Sequence, residues 1–143
     1  MSYYSYNWTK GRDIIDRLGG PDYLKLVLGA KDIRLTYYIS TKDNSSWATI
    51  VFKLEPRGEY RVSLVVKFVA YKHLKVRLVE TRRVGPFFFR RTDVHVKQEG
   101  GILPNPVYLS LPGPLRDKEN LSYLTSCIEE VTGRCLDPFG MLS

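Results

Sequence analysis

The sequence predicts a single α+β domain: an antiparallel sheet of five or six strands, two short helices before it and one helix after it. Three observations predict this. Apolar residues alternate with polar ones over much of residues 33–97, the pattern of strands with one buried face. Near the C-terminus Leu121, Leu124, Ile128 and Val131 recur at spacings of three, four and three, the stripe of an amphipathic helix. At 143 residues the chain has enough surface to bury one core but not two.

Taken in order, residues 1–8 form a polar, aromatic N-terminal arm carrying Tyr3, Tyr4, Tyr6 and Trp8, expected to be flexible or held by a partner. Thr9 caps a short helix through Arg12, Ile14, Ile15 and Leu18, which Gly19-Gly20 stops. Pro21 opens a second short helix, with Asp22 where the helix dipole favours an anion; Gly29 ends it. Ile33, Leu35, Tyr37 and Ile39 then alternate with polar neighbours. After the polar turn 41–46, Ala48, Ile50, Phe52 and Leu54 do the same, so the two segments read as a hairpin.

Tyr60 to Arg83 is too long for one strand and divides near Tyr71-Lys72. Pairing about that turn sets Arg61 opposite Arg83, Lys67 opposite Arg77 and Val69 opposite Lys75. Tyr60, Val62, Leu64, Val66 and Phe68, with Leu74, Val76 and Leu78, supply the core face. Val84-Gly85-Pro86 breaks the chain, Phe87 to Lys97 reads as another strand, Gly100-Gly101 as a turn, and Val107 to Leu111 as a short proline-flanked strand. Asp117 caps the last helix and Gly133 closes it.

Charge is concentrated in the middle of the chain. The whole protein carries +7, whereas residues 57–97 hold 11 basic and 3 acidic side chains, a net +8. A local field of that sign favours an anionic partner. Like charges opposite one another on paired strands are destabilising, so a sheet face that collects them is either well solvated or meets an anion. The segment Arg82-Arg83-Val84-Gly85-Pro86-Phe87-Phe88-Phe89-Arg90-Arg91 is the most distinctive. Guanidinium groups beside aromatic rings suit single-stranded nucleic acid. Read as a strand, however, Phe87 and Phe89 share one face and Phe88 takes the other. Core phenylalanines with flanking solubilising arginines are therefore the simpler expectation for the rings.

Other chemistry finds little support. Asp93 and His95 lie two apart, on one side of a strand, with Glu99 nearby. A third ligand is not evident, and an ordinary polar strand face gives the same pattern. Cys127 and Cys135 are too few for a disulfide framework, which makes a reducing, cytoplasmic compartment the default; a bond between them needs the helix to end first. Cys127 reads as a small core residue. No CxxC, GxxxxGK[ST], GxGxxG or GxSxG arrangement occurs, so no metal, no cofactor and no catalytic residue is assigned. Apolar runs are far too short to cross a bilayer, and no membrane insertion is expected.

The run Ile14-Ile15-Asp16-Arg17-Leu18-Gly19-Gly20, then Leu28-Gly29-Ala30-Lys31-Asp32-Ile33, and the closing Val131-Thr132-Gly133 resemble small uncharacterised proteins encoded by bacterial viruses. The resemblance covers about a third of the chain; the arginine–phenylalanine segment and the prolines of 104–114 depart from it. It implies a viral accessory protein of α+β type and carries no site.

Two functions are expected from these features. The first is a non-enzymatic module that binds DNA or RNA through Arg61, Lys67, Lys75, Arg77, Arg82, Arg83, Arg90 and Arg91. The second is a protein-interaction or structural role, as an inhibitor of a host factor or a component of a virion or homo-oligomer. It would use Tyr3, Tyr4, Tyr6 and Trp8, the strand edges, and charge directed at an acidic protein surface.

Overall fold

The computed structural model describes residues 2–5, 15–40, 46–69, 72–106 and 117–137. Six strands, β1 (Ser2–Ser5), β2 (Asp32–Ser40), β3 (Ser46–Lys53), β4 (Arg61–Val69), β5 (His73–Val84) and β6 (Arg91–Ile102), pair in sequence order as one antiparallel sheet. Helical residues 15–17 (α1), helix α2 (Pro21–Leu28) and helix α3 (Lys118–Thr132) complete an α+β fold.

The helix ends follow the local chemistry. Pro21 occupies the first turn of α2, and Gly29 closes it in the left-handed region, its N–H bonded to the Lys25 carbonyl. The Asp117 carboxylate accepts from the backbone N–H groups of Glu119 and Asn120 at the start of α3. Gly133 ends α3 at φ 71°. Of the first predicted helix, Thr9, Arg12 and Ile14 lie outside the described residues.

The core lies on one side of the sheet. Ile50 and Phe52 from β3, Leu64, Val66 and Phe68 from β4, and Leu74 and Val76 from β5 are buried. They pack with Ile15, Leu18, Leu24 and Leu28 and with Leu121, Leu124, Cys127, Ile128 and Val131 of α3. All the residues that β3, β4 and β5 contribute to this cluster are even-numbered, so the odd-numbered set points away from the helices. Cys127 is a buried free thiol and Cys135 an exposed one, so the two are not bonded.

A polar latch fixes α3 to the segment after β6. Asn120, fully buried, accepts from the Asn105 N–H at 2.9 Å and donates to the Asn105 carbonyl at 2.7 Å. The Asn105 amide in turn donates to Asp117 and Glu119. That amide first, with the Asn120 and Glu119 N–H groups, holds the Asp117 carboxyl below its usual value.

Several expectations change. Ser2–Ser5 of the expected arm pair with β2, Tyr3 opposite Ile39 and Tyr4 opposite Tyr38, so this part of the arm is an edge strand; Tyr6 and Trp8 lie outside the described residues. The β4–β5 register is tighter by two than expected: Arg61 faces Thr81, Lys67 faces Lys75, and Val69 faces His73. A shift of two keeps each side chain on its face and changes only its partner. Phe87–Phe89 are a 3-10 turn rather than strand, and β6 begins only at Arg91.

Gly100 and Gly101 lie inside β6, opposite Lys75 and Leu74, and make no turn. Gly100 has φ 134°, and a Cβ there would collide with the Leu74 carbonyl. A Cβ on Gly101 would stand 3.1 Å from the Tyr123 hydroxyl, so its bareness lets α3 close on the strand. The predicted strand at Val107 to Leu111 lies outside the described residues.

Candidate functional site

The sheet face turned away from the helices gathers the basic side chains. Alternation along each strand and the pairing register put Arg34, Lys53, Arg61, Lys67, Lys75, Arg77 and Arg83 on this one face. Lys67 and Lys75 are directly opposite one another, flanked by Thr49 and Gly100. Among the described residues of β2–β6, Asp32, already bonded to Arg34 at 3.2 Å, is the one carboxylate on that side. Arg77 donates to the Gln98 side chain across the β5–β6 pair at 3.0 Å. Valines 51, 65, 79, 94 and 96 lie between the charges.

At one end this face runs into a cleft of about 560 Å³ lined by Arg61, Thr81, Arg82, Arg83, Arg90, Thr92 and Glu59. The register explains the gathering. Arg61 stands opposite Thr81, Arg83 opposite Thr92, and Thr81 and Arg83 are two residues apart on one strand face. Arg90 enters from the turn. Among the described residues, four arginines and two hydroxyls thus meet a single carboxylate.

Not all four are alike. Arg82 lies on the helix side of the sheet. It contacts Glu59 and Asp93 at 3.6 Å each and lies 4.8 Å over the Tyr60 ring, so its charge is largely answered within the fold. Among the described residues, no salt bridge at 4 Å or less is found for Arg61, Arg83 or Arg90. Arg91, expected to join them, instead turns to the helix side and contacts Asp93 at 3.8 Å.

Beyond the cleft, Gly85 and the 3-10 turn reverse the chain. A side chain at Gly85, where φ is 96°, would collide with the Phe89 carbonyl. Phe87, Phe88 and Phe89 are 83%, 76% and 75% exposed, which overturns the expectation of core phenylalanines. A 3-10 turn is shorter per residue than a strand and lifts the rings off the sheet, and the β4–β5 pairing reaches only to Thr81, so β4 offers the rings nothing to pack on. Phe88 and Phe89 meet edge to face at 5.2 Å, and the Arg90 guanidinium lies 5.5 Å from the Phe87 ring.

The residues proposed from sequence therefore divide. Arg61, Arg82, Arg83 and Arg90 come together in the cleft, Lys67, Lys75 and Arg77 extend from it along the open face, and Arg91 is elsewhere. Thr81, Thr92, Arg34 and Lys53 were missed, although two-residue alternation already marks them as neighbours. Asp93 is occupied by Arg82 and Arg91, and His95 stacks at 5.2 Å on Tyr60. Among the described residues no group of three His, Cys, Asp or Glu is placed to hold a metal ion, and no helix is long and apolar enough to cross a membrane.

Comparison with family models, curated proteins and solved structures finds no match to the chain.

Proposed function

We propose that this protein is a non-enzymatic nucleic-acid-binding module that lays its open sheet face along a phosphate backbone. The carrying observation is the asymmetry of that face: seven basic side chains, one carboxylate already bonded to one of them, and no described helix covering it. From Arg83 to Lys75 the charges run eight residues along β5, roughly 26 Å at about 3.3 Å per residue. That length suits a polyanion lying along the strand better than a headgroup layer met end-on by the hairpin. Arginine and lysine on a backbone release counterions, so affinity falls steeply as salt rises. The resemblance of the LGG, GAK and VTG segments supports placing the module among accessory proteins of bacterial viruses.

Affinity for single- and double-stranded DNA and RNA, measured against salt, tests the reading. Lys75→Gln with Arg77→Gln should weaken binding to all sequences and lower the salt slope by about one for each phosphate no longer neutralised. Absence of binding to every nucleic acid at low salt removes the proposal.

One observation favours a second reading, a protein-interaction role. The strand β6 is a twelve-residue edge with Val94, Val96 and Ile102 exposed on the open face, and such an edge invites pairing with another chain. A solution mass above that of one chain supports it.

A further inference from the structure

The cleft and the phenylalanine turn act as one site, and we infer that it selects unpaired nucleotides: the cleft seats a phosphodiester and the exposed rings stack on the bases beside it. This rests on the nucleic-acid reading and goes further by naming the strand class and dividing the labour.

The cleft has the chemistry of a phosphate seat. Among the described residues its cations are all arginines, whose planar forks match phosphate oxygens in a way lysine's point charge does not. The Thr81 and Thr92 hydroxyls add donors beside them. The one lining carboxylate among the described residues, Glu59, contacts Arg82, and Arg82 Nε is a buried donor without a hydrogen-bond partner. Arg61, Arg83 and Arg90 are left to the ligand.

The turn has the chemistry of a stacking platform. Three adjacent phenylalanines at least three-quarters exposed form an apolar surface that a solvated tip has no reason to carry. The Phe88 and Phe89 planes are inclined at 66°, and Phe87 lies against Arg90, which lines the cleft. Rings set at different angles match bases that are free to turn. Stacking of this kind is tolerant of sequence because every base has a π-face.

The test compares a fluorescent oligo-dT strand with a duplex of the same length, using the full chain and its variants. Every substitution is at a surface position, and thermal melting checks that each variant folds. The intact protein should bind the single strand at least fivefold more tightly than the duplex. Replacing Phe87→Ala, Phe88→Ala and Phe89→Ala together should weaken single-strand binding about tenfold or more and leave duplex binding within twofold. Arg61→Gln with Arg83→Gln should weaken single-strand binding and flatten its salt dependence. Arg61→Lys with Arg83→Lys should restore the salt dependence but only part of the affinity.

Equal affinity for strand and duplex, unchanged by the triple substitution, overturns this inference and leaves the broader nucleic-acid reading standing. No binding to either removes both. Binding to phosphatidylserine vesicles that vanishes in the triple variant, with oligonucleotide binding unaltered, assigns the turn to a membrane surface and also overturns it.

Discussion

The two ends of β5 stand in different surroundings. At its beginning Leu74 and Val76 are fully buried beneath α3, and Gly101 opposite Leu74 is trimmed to let that helix approach. At its far end β4 has stopped, no described helix lies above, and the strand carries Arg82 and Arg83 into a turn of exposed phenylalanines. The first end contributes burial and the second contributes charge and bare rings. Stability and, on the proposed reading, binding therefore depend on different residues of the same element, and substitutions should separate them.

The largest expected effect breaks this contrast from the buried side. Phe52→Ala, a fully buried ring in β3, should cost about 3–5 kcal/mol. Phe88→Ala should stay within about 0.5 kcal/mol, although both remove a phenyl group. Chemical denaturation of the two variants measures the difference, and equal losses would mean that the turn packs on something.

Next comes the polar latch. Asn120→Ala removes the partner of both the N–H and the carbonyl of Asn105 and should cost about 1–3 kcal/mol. The Asp117 cap adds a pH dependence. Its folded pKa lies below the unfolded one, so the group stabilises above the unfolded value and loses this as pH falls through the folded value. Stability should decline on acidification below about pH 4, and Asp117→Asn should flatten that decline in a pH series of melts.

The smallest effect sharpens the contrast at the thiols. Burial first, and then the Glu99 charge, raises the Cys127 pKa, while the Glu129 charge raises that of exposed Cys135. A maleimide or iodoacetamide should label Cys135 in the native protein and reach Cys127 only on unfolding, as mass spectrometry would show.

Much of the body was legible because its signals are local. The Asp117 cap, the closing Gly29 and Gly133, and the even-numbered core face of β4 and β5 depend on residues within a turn or on simple alternation. The register slipped by two because no turn dipeptide marks Tyr71-Lys72, and alternation survives such a slip. The glycine pair at 100 and 101 looked like punctuation, whereas its cause is a carbonyl on the neighbouring strand and a tyrosine on a distant helix. For the phenylalanines the strong strand preference of aromatic residues misled, since what decides their exposure is where β4 stops. The cleft needed tertiary knowledge of the same kind: Thr81 and Thr92 are inconspicuous until pairing brings them beside Arg61 and Arg83.

Arg82 has one further consequence. Held between Glu59 and Asp93 and over the Tyr60 ring, it joins the loop before β4 to both strands of the hairpin end. Contacts at 3.6 Å with partly solvated partners are screened by dissolved ions. Raised salt should therefore loosen the hairpin end as well as weaken the proposed ligand contacts. On the proposed reading, a salt titration of binding therefore combines two quantities, counterion release and the ordering of the hairpin end. Hydrogen exchange at residues 82–93 without ligand, followed across the same salt range, isolates the second.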